Sequence, residues 1–441
     1  MKKLRNQIFE MDSQSFSWVI LVFSLIVRVV FIFISGIEDN YNKQSDSRML
    51  VLLADQIIDG KHNLDIGRFI VSPLYPYFLA SVKIVFGENW SFVVSVIQLS
   101  FASFSVVLIY KMSKLLFSEA VSKLSGVIYS VFPMTLWYTN TFSQESLFQC
   151  FLITFLFFFI KSIAVQSSKV KNCFLAALFF SLAFLSKSHI LLYSIFIPII
   201  YFVTINPIKK MILLTALFTT VSIAATLPFG LYNYKINDVY VLSSNGAKYQ
   251  FYLGNNEAGY ITVVSPPQKG TSDYKKMKDI NVYAGYFNGN QQLYDETLKM
   301  PQKYKQDIFF LEAITWIKEN PTKFVNLKIK NFLLLFRPGV SSKHYDFKSW
   351  ILSLLISLPL YLFASFGLFF SIKSNWKRHI WFLSLVLSMV LFSVIWYVQN
   401  RFRTITIEPF MSIYAAYFVS LIWGEIKSRQ TKTKANKVYS S

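Results

Sequence analysis

An all-α protein that crosses a membrane about ten or eleven times is predicted by three observations. The first is composition. Of 441 residues, 54% are hydrophobic and 18% aromatic, while only 15% are charged; a soluble domain carries about 25%. The second is the recurrence of apolar runs such as "FSWVILVFSLIVRVVFIFISGI" (16–37), long enough to cross a bilayer at about 1.5 Å per helical residue. The third is the placement of charge. The chain holds 44 Lys+Arg against 23 Asp+Glu, and its basic residues gather in short segments between apolar runs, as membrane orientation requires. That placement argues against a nucleic-acid partner, since no basic and aromatic stripe forms one face.

The elements follow in order. The first run is too long for a signal-peptide core and no small-x-small site follows it, so it is expected to stay as an anchor. Apolar segments cover roughly 16–36, 90–110, 120–139, 143–160, 172–188, 190–205, 211–231, 350–372, 379–398 and 406–424. A further one at 72–86 either crosses or re-enters. The basic clusters "MKKLR", "YKMSK", Lys161 with Lys169 and Lys171, "IKK" (208–210), "KSNWKR" (373–378) and the tail after 424 all fall on one side if ten segments cross. Both termini are therefore expected in the cytoplasm, in a bacterial inner membrane. The chain divides into an N-terminal transmembrane module (1–231) with a first outer loop (37–89), an external, partly helical segment (232–348), C-terminal transmembrane helices (349–424) and a basic tail (425–441).

Within the first outer loop, "DSRMLVLLADQIIDG" (46–60) has helical apolar spacing. Asp46 can cap its start and Gly60 can end it; beside a span, such a helix lies in the interface. The outer segment reads as partly β or irregular over 232–300, then helical over 305–336 with a break near Pro321. Cys150 and Cys173 sit in or near apolar runs and suggest no disulfide. Arg28, inside the first span, is costly in lipid and is expected to face the bundle, paired with an acid.

The segments "SDSRMLVLLADQIIDGKH", "SPLYPYFLA", "VFGENW", "VFPMTLWYTNTFSQESLF", "LAFLSKSHILL", "NYKINDVYVLSSNGAKYQFYLGNN" and "RFRTITIEPFMSIYAAYF" stand in an order that resembles the GT-C membrane glycosyltransferases. The nearest group is the bacterial family 39 type, with its protein O-mannosyltransferases and lipid A aminoarabinose transferase. The resemblance implies a GT-C-like fold and a catalytic Asp in the first outer loop, which Asp46 matches. The acid that often follows is absent, since Ser47 stands there. Glu145 is similar to a second family acid at the outer start of span four. "RFRTITIEP" resembles an Arg-rich signature, with Arg401, Arg403 and Pro409 fitting and Ile405 or Thr406 in place of a proline. "YN" (Tyr232, Asn233) replaces a usual "RN".

The chemistry is consistent with that resemblance. No nucleotide sugars exist outside the membrane, so an activated sugar arrives on a lipid carrier. The site must offer a carboxylate for the acceptor hydroxyl, cations for the leaving phosphate and an apolar groove. Asp46 is the expected base, with Glu145 supporting it or binding the acceptor. Lys187, Arg401 and Arg403 are cations on the outer side, against the orientation rule, and are expected to converge on one phosphate; Arg fits it bidentately. The expected partners are a polyprenyl-phosphate sugar donor, a lipid, glycan or protein acceptor, and the bilayer. No cofactor is assigned. His62, His189 and His344 leave a divalent metal open, though no HxxE or HxH spacing supports one. Glu38 and Asp39 read as solvated loop acids. Two alternatives stay open: an O-antigen-type polymerase or ligase, and a flippase or transporter, although no half repeat supports the last.

Overall fold

The computed structural model describes residues 10–35, 45–264, 291–340 and 346–438. Glu38, Asp39 and His344 lie outside them. Among the described residues the chain is helical throughout, with no strand and one isolated bridge, Asp65 to Ile70. The β structure expected over 232–300 is therefore not found where that stretch is described. Helices Ala247–Leu253 and Glu257–Val264 stand there instead.

Helix α1 (Ser13–Ser35) shows how the sequence orients a span. Phe16, Ile20, Ser24 and Arg28 recur at i+4 and are all buried, whereas Trp18, Phe33 and Ile34 on other faces are exposed. One stripe meets the bundle and the rest meets lipid. Arg28 is directed inward as expected, but the expected acid is absent among the described residues. Its guanidinium donates to the hydroxyl and carbonyl of Ser24, one turn back.

Helix α2 (Ser45–Ile58) is the amphipathic helix expected after the first span. It buries Leu50, Leu53, Ala54 and Ile57, and leaves Leu52 and Ile58 exposed. Lys83 of α3 (Leu74–Phe86) clamps it through Asp55 at 2.5 Å. Gly60, at φ 77°, turns the chain away at its end, as expected. Helix α3 is 13 residues long, too short to cross alone, and turns at Gly87 into α4 (Trp90–Leu116).

Then follow α5 (Glu119–Val131), α6 (Gln144–Ala164), α7 (Lys169–Ser186), the short apolar α8 (Ser188–Thr204) and α9 (Ile208–Asn237). Residues 232–348 contribute α10 (Ala247–Leu253), α11 (Glu257–Val264), α12 (Gln302–Glu319) and α13 (Pro321–Leu335). The last two meet at the break expected near Pro321. Helix α14 (Phe347–Ile395) is 49 residues long and kinks at Asn375, where φ is −158°. It packs on α16 (Glu408–Val438) so closely that a Cβ on Gly367 would lie 1.9 Å from the Tyr414 carbonyl oxygen; only glycine allows that crossing. Among the described residues six helices are long and apolar enough to cross a membrane, or up to seven if the bent pair Asn400–Thr406 and Glu408–Gly424 is one span. The sequence count of ten is reached only by splitting α14 at its kink and adding α5 and α8, which are shorter than a full crossing.

Polar contacts sort the helix ends into two groups. At one end Lys123 Nζ donates to the Met11 carbonyl at 2.6 Å, Tyr110 meets Ser13 and Glu119, and Arg378 Nη2 donates to the Leu115 carbonyl at 2.6 Å. The other end carries the candidate site.

Candidate active site

Four side chains from four separate elements form a chain of ion pairs. Arg401 Nη1 lies 2.6 Å from Asp46 Oδ2 and 3.4 Å from Glu145 Oε1, and the same Glu145 oxygen lies 2.8 Å from Lys187 Nζ. Each position follows from local structure. Asp46 is in the first turn of α2. It does not act as the expected N-cap; its carboxylate reaches Arg401 instead. Glu145 is in the first turn of α6, where the helix dipole favours an anion. Lys187 is the residue that ends α7, its N–H closing on the Ala183 carbonyl at 2.8 Å, where the dipole favours a cation. Arg401 opens α15 (Asn400–Thr406), and its Nε donates to Gln399 Oε1 at 2.5 Å.

Exposure is graded along the chain. The Glu145 and Lys187 side chains are 2% and 8% exposed, Arg401 27% and Asp46 36%. The cluster thus has a dry inner pair and a wet outer pair, with Arg401 spanning both. Burial pulls the Lys187 ammonium below its ordinary pKa, and the Glu145 charge opposes that pull. Phe402 lies beneath both cations, its ring centre 5.5 Å from Lys187 Nζ and 5.9 Å from the Arg401 guanidinium. An aromatic face there stabilises positive charge without neutralising it. The arrangement can hold an anion at Arg401 and Lys187 while offering a carboxylate at its open edge.

Arg403 does not converge on this cluster. Its Nε lies 2.7 Å from Glu408 Oε1, and its other nitrogens donate to the carbonyls of Leu335, Arg337 and Gly339. Tyr361 donates to the same Glu408 oxygen at 2.7 Å. The sequence reading missed Glu408 as a partner, although an acid in an apolar segment implies one. It also missed Gln399 and Phe402.

Among the described residues His62 and His189 do not gather either. His189 packs against Phe148, Phe392 and Phe402, while His62 stacks on Tyr77. Among the described residues no three His, Cys, Asp or Glu side chains are placed to hold a metal. Both site carboxylates already face cations. Cys150 and Cys173 are free and buried.

Residues 71–232 match the family model of dolichyl-phosphate-mannose-protein mannosyltransferases, a stretch that includes Glu145 and Lys187. No curated protein sequence matches the chain. Among solved structures, the fold is similar to the archaeal oligosaccharyltransferase AglB from Archaeoglobus fulgidus. The form bound to an inhibitory peptide and a dolichol-phosphate aligns with TM-score 0.53 at 13% identity, covering 95% of this chain and 52% of that one. The apo form aligns with TM-score 0.55 at 12% identity and the same coverage. The chain therefore spans about half the length of these structures. The chain is thus similar in fold to these structures, and its residues 71–232 match one mannosyltransferase family model.

Proposed function

We propose that the protein transfers a sugar from a polyprenyl-phosphate donor to an acceptor hydroxyl at the outer face of the membrane, by a single displacement that inverts the anomeric carbon. The observation that carries this is the Asp46–Arg401–Glu145–Lys187 chain. It unites a wet carboxylate with two cations at one end of the bundle. The donor class follows the archaeal neighbour solved with a dolichol-phosphate, and the outer face follows the positive-inside reading.

In this reaction the acceptor oxygen attacks the anomeric carbon as the bond from that carbon to the phosphate oxygen breaks. Asp46 takes the acceptor proton. The lipid phosphate leaves with its electron pair, and Arg401 and Lys187 stabilise the charge it gains. A phosphate is a stable leaving group, so a second carboxyl acting as acid is not needed, unlike in glycoside hydrolysis. Glu145 instead keeps both cations in place and makes their charge tolerable in a dry setting. With no donor bound, Arg401 occupies the Asp46 carboxylate. A donor phosphate competes for Arg401 and releases Asp46, so the base becomes available only when there is something to transfer.

The test is Asp46→Asn, which keeps volume and removes the charge. The purified variant in nanodiscs should bind undecaprenyl phosphate but lose about 10²-fold or more of transfer, the usual scale for a general base. Glu38→Gln and Asp39→Asn should lose far less. Wild-type transfer by Asp46→Asn rules out this residue as the base. A protein that moves the lipid-linked sugar across vesicles without breaking its phosphate bond is a flippase and not a transferase.

A further inference from the structure

Residues 243–257 touch the segment after α2, helix α7 and the turn before α15, next to three of the four elements that deliver the site. Towards the first outer loop, Asn245 Oδ1 accepts from the Ile70 N–H at 2.6 Å, and Phe69 stacks on Tyr249. Towards α7, Ser243 Oγ donates to the Phe184 carbonyl at 2.8 Å, three residues before Lys187. Towards the turn that leads into Arg401, the contacts are densest. Trp396 Nε1 donates to the Ala247 carbonyl at 2.7 Å, and Asn255 Nδ2 donates to the Ile395 carbonyl at 3.1 Å.

Two residues stand out at this junction. Gly254 packs so tightly that a Cβ would lie 1.8 Å from the Trp396 carbonyl oxygen. Lys328 of α13 is buried, and among the described residues its ammonium has no carboxylate. It shares its protons among the carbonyls of Gly254 at 3.4 Å, Ile395 at 3.3 Å and Trp396 at 3.4 Å. A cation at that point ties the outer segment to the carbonyl end of α14. It also satisfies acceptors that the helix end leaves open.

We propose that residues 243–257 form a latch that sets the position of Arg401, with Gly254 and Lys328 as its positioning residues. The inference rests on the phosphate role given to Arg401 above. Four residues separate Trp396 from Arg401, so a shift at the turn carries directly into the guanidinium. Reaching even the shortest separation that real Cβ atoms show, about 3.0 Å, moves the Trp396 carbonyl by 1.2 Å from the 1.8 Å that Gly254→Ala would impose; a displacement of about 1 Å is enough to cost about 10²-fold in a preorganised site.

The experiment uses the full chain in nanodiscs with two readouts. Gly254→Ala and Lys328→Met should each raise amide exchange across residues 396–403 and leave the first span unchanged. Each should also weaken undecaprenyl phosphate binding about tenfold, the scale of one lost charged hydrogen bond. In an Arg401→Gln background the same changes should cost less than about twofold, since a positioning residue acts through the group it positions. Should Gly254→Ala not fold, Lys328→Met carries the test alone. Unchanged exchange at 396–403 overturns the latch, and so does equal weakening with and without Arg401. A wild-type protein that binds no polyprenyl phosphate counts against the proposed function instead, while the exchange readout still decides the latch.

Discussion

Replacing Glu145 by Gln keeps the side-chain volume and removes one negative charge from a cluster of two anions and two cations. The consequences can be worked from the geometry. Lys187, 8% exposed, loses its partner at 2.8 Å, and Arg401 keeps only Asp46. Breaking a buried pair by removing one partner costs about 3–5 kcal/mol, because the remaining charge is stranded. The variant should therefore unfold at a markedly lower temperature. A lipid phosphate supplies Lys187 and Arg401 with the negative charge they have lost, so undecaprenyl phosphate should stabilise Glu145→Gln more than it stabilises the wild type. The assay is thermal unfolding in detergent across a lipid-phosphate titration, with neutral polyprenol as control. Transfer should fall in the same variant, since cations held too tightly on the product release it slowly. If Glu145→Gln is as stable as the wild type, and its stabilisation by the phosphate is no larger, then Glu145 is not what holds the two cations.

Arg403→Leu should destabilise by a similar 3–5 kcal/mol, because Glu408 is 1% exposed and would be left unpaired; Arg403→Leu combined with Glu408→Leu should recover much of that in thermal unfolding, and a double variant as weak as the single one would refute the pairing. Burial lowers the Lys328 pKa from its ordinary value to about 7, so the cost of its charge is fully present below pH 7 and fades as pH rises towards 10.5. Wild-type stability should accordingly gain on Lys328→Met across that window, as read by unfolding at several pH values; a constant difference between the two proteins would contradict it. A reporter fused at Ser167 should give a cytoplasmic signal, and an outer-side signal there would reverse the assigned orientation.

Much of the helical frame was legible because burial writes itself into the period of the sequence. The i+4 stripe of Phe16, Ile20, Ser24 and Arg28 and the apolar face of "DSRMLVLLADQIIDG" are direct readings of this kind. Asp46 and Glu145 could be nominated because they match acids of the family that the sequence resembles, and Lys187 and Arg401 because their positive charge goes against the orientation rule. What could not be read was pairing. The sequence separations from Asp46 to Arg401 and from Glu145 to Lys187 are set by how helices cross, and no local rule records that. The latch was hidden for the same cause. Gly254 and Lys328 look ordinary until a backbone carbonyl 142 and 68 residues further on is placed beside them. The outer segment misled because its turn dipeptides suggested strands, while tertiary packing on Tyr249, Tyr252 and Phe309 supports helices there.

The two arginines of "RFR" show how one short helix can serve two ends. Residues two apart on a helix do not share a face, so Arg401 and Arg403 of α15 must diverge. The sequence reading treated them as equal candidates for one phosphate, and helical geometry alone argues against that. Arg403 is 1% exposed and joins Glu408 to the carbonyls of residues 335, 337 and 339. Those contacts tie α15 to the end of the outer segment and to the head of α16. Arg401 on the other face is left half in water, free to exchange Asp46 for a phosphate. A cation that must trade partners during a reaction needs a backbone that does not move when it does so. On this view Arg403 and Lys328 are fixed so that Arg401 can be the movable charge, and the cost of burying two extra cations is offset by the precision of the third.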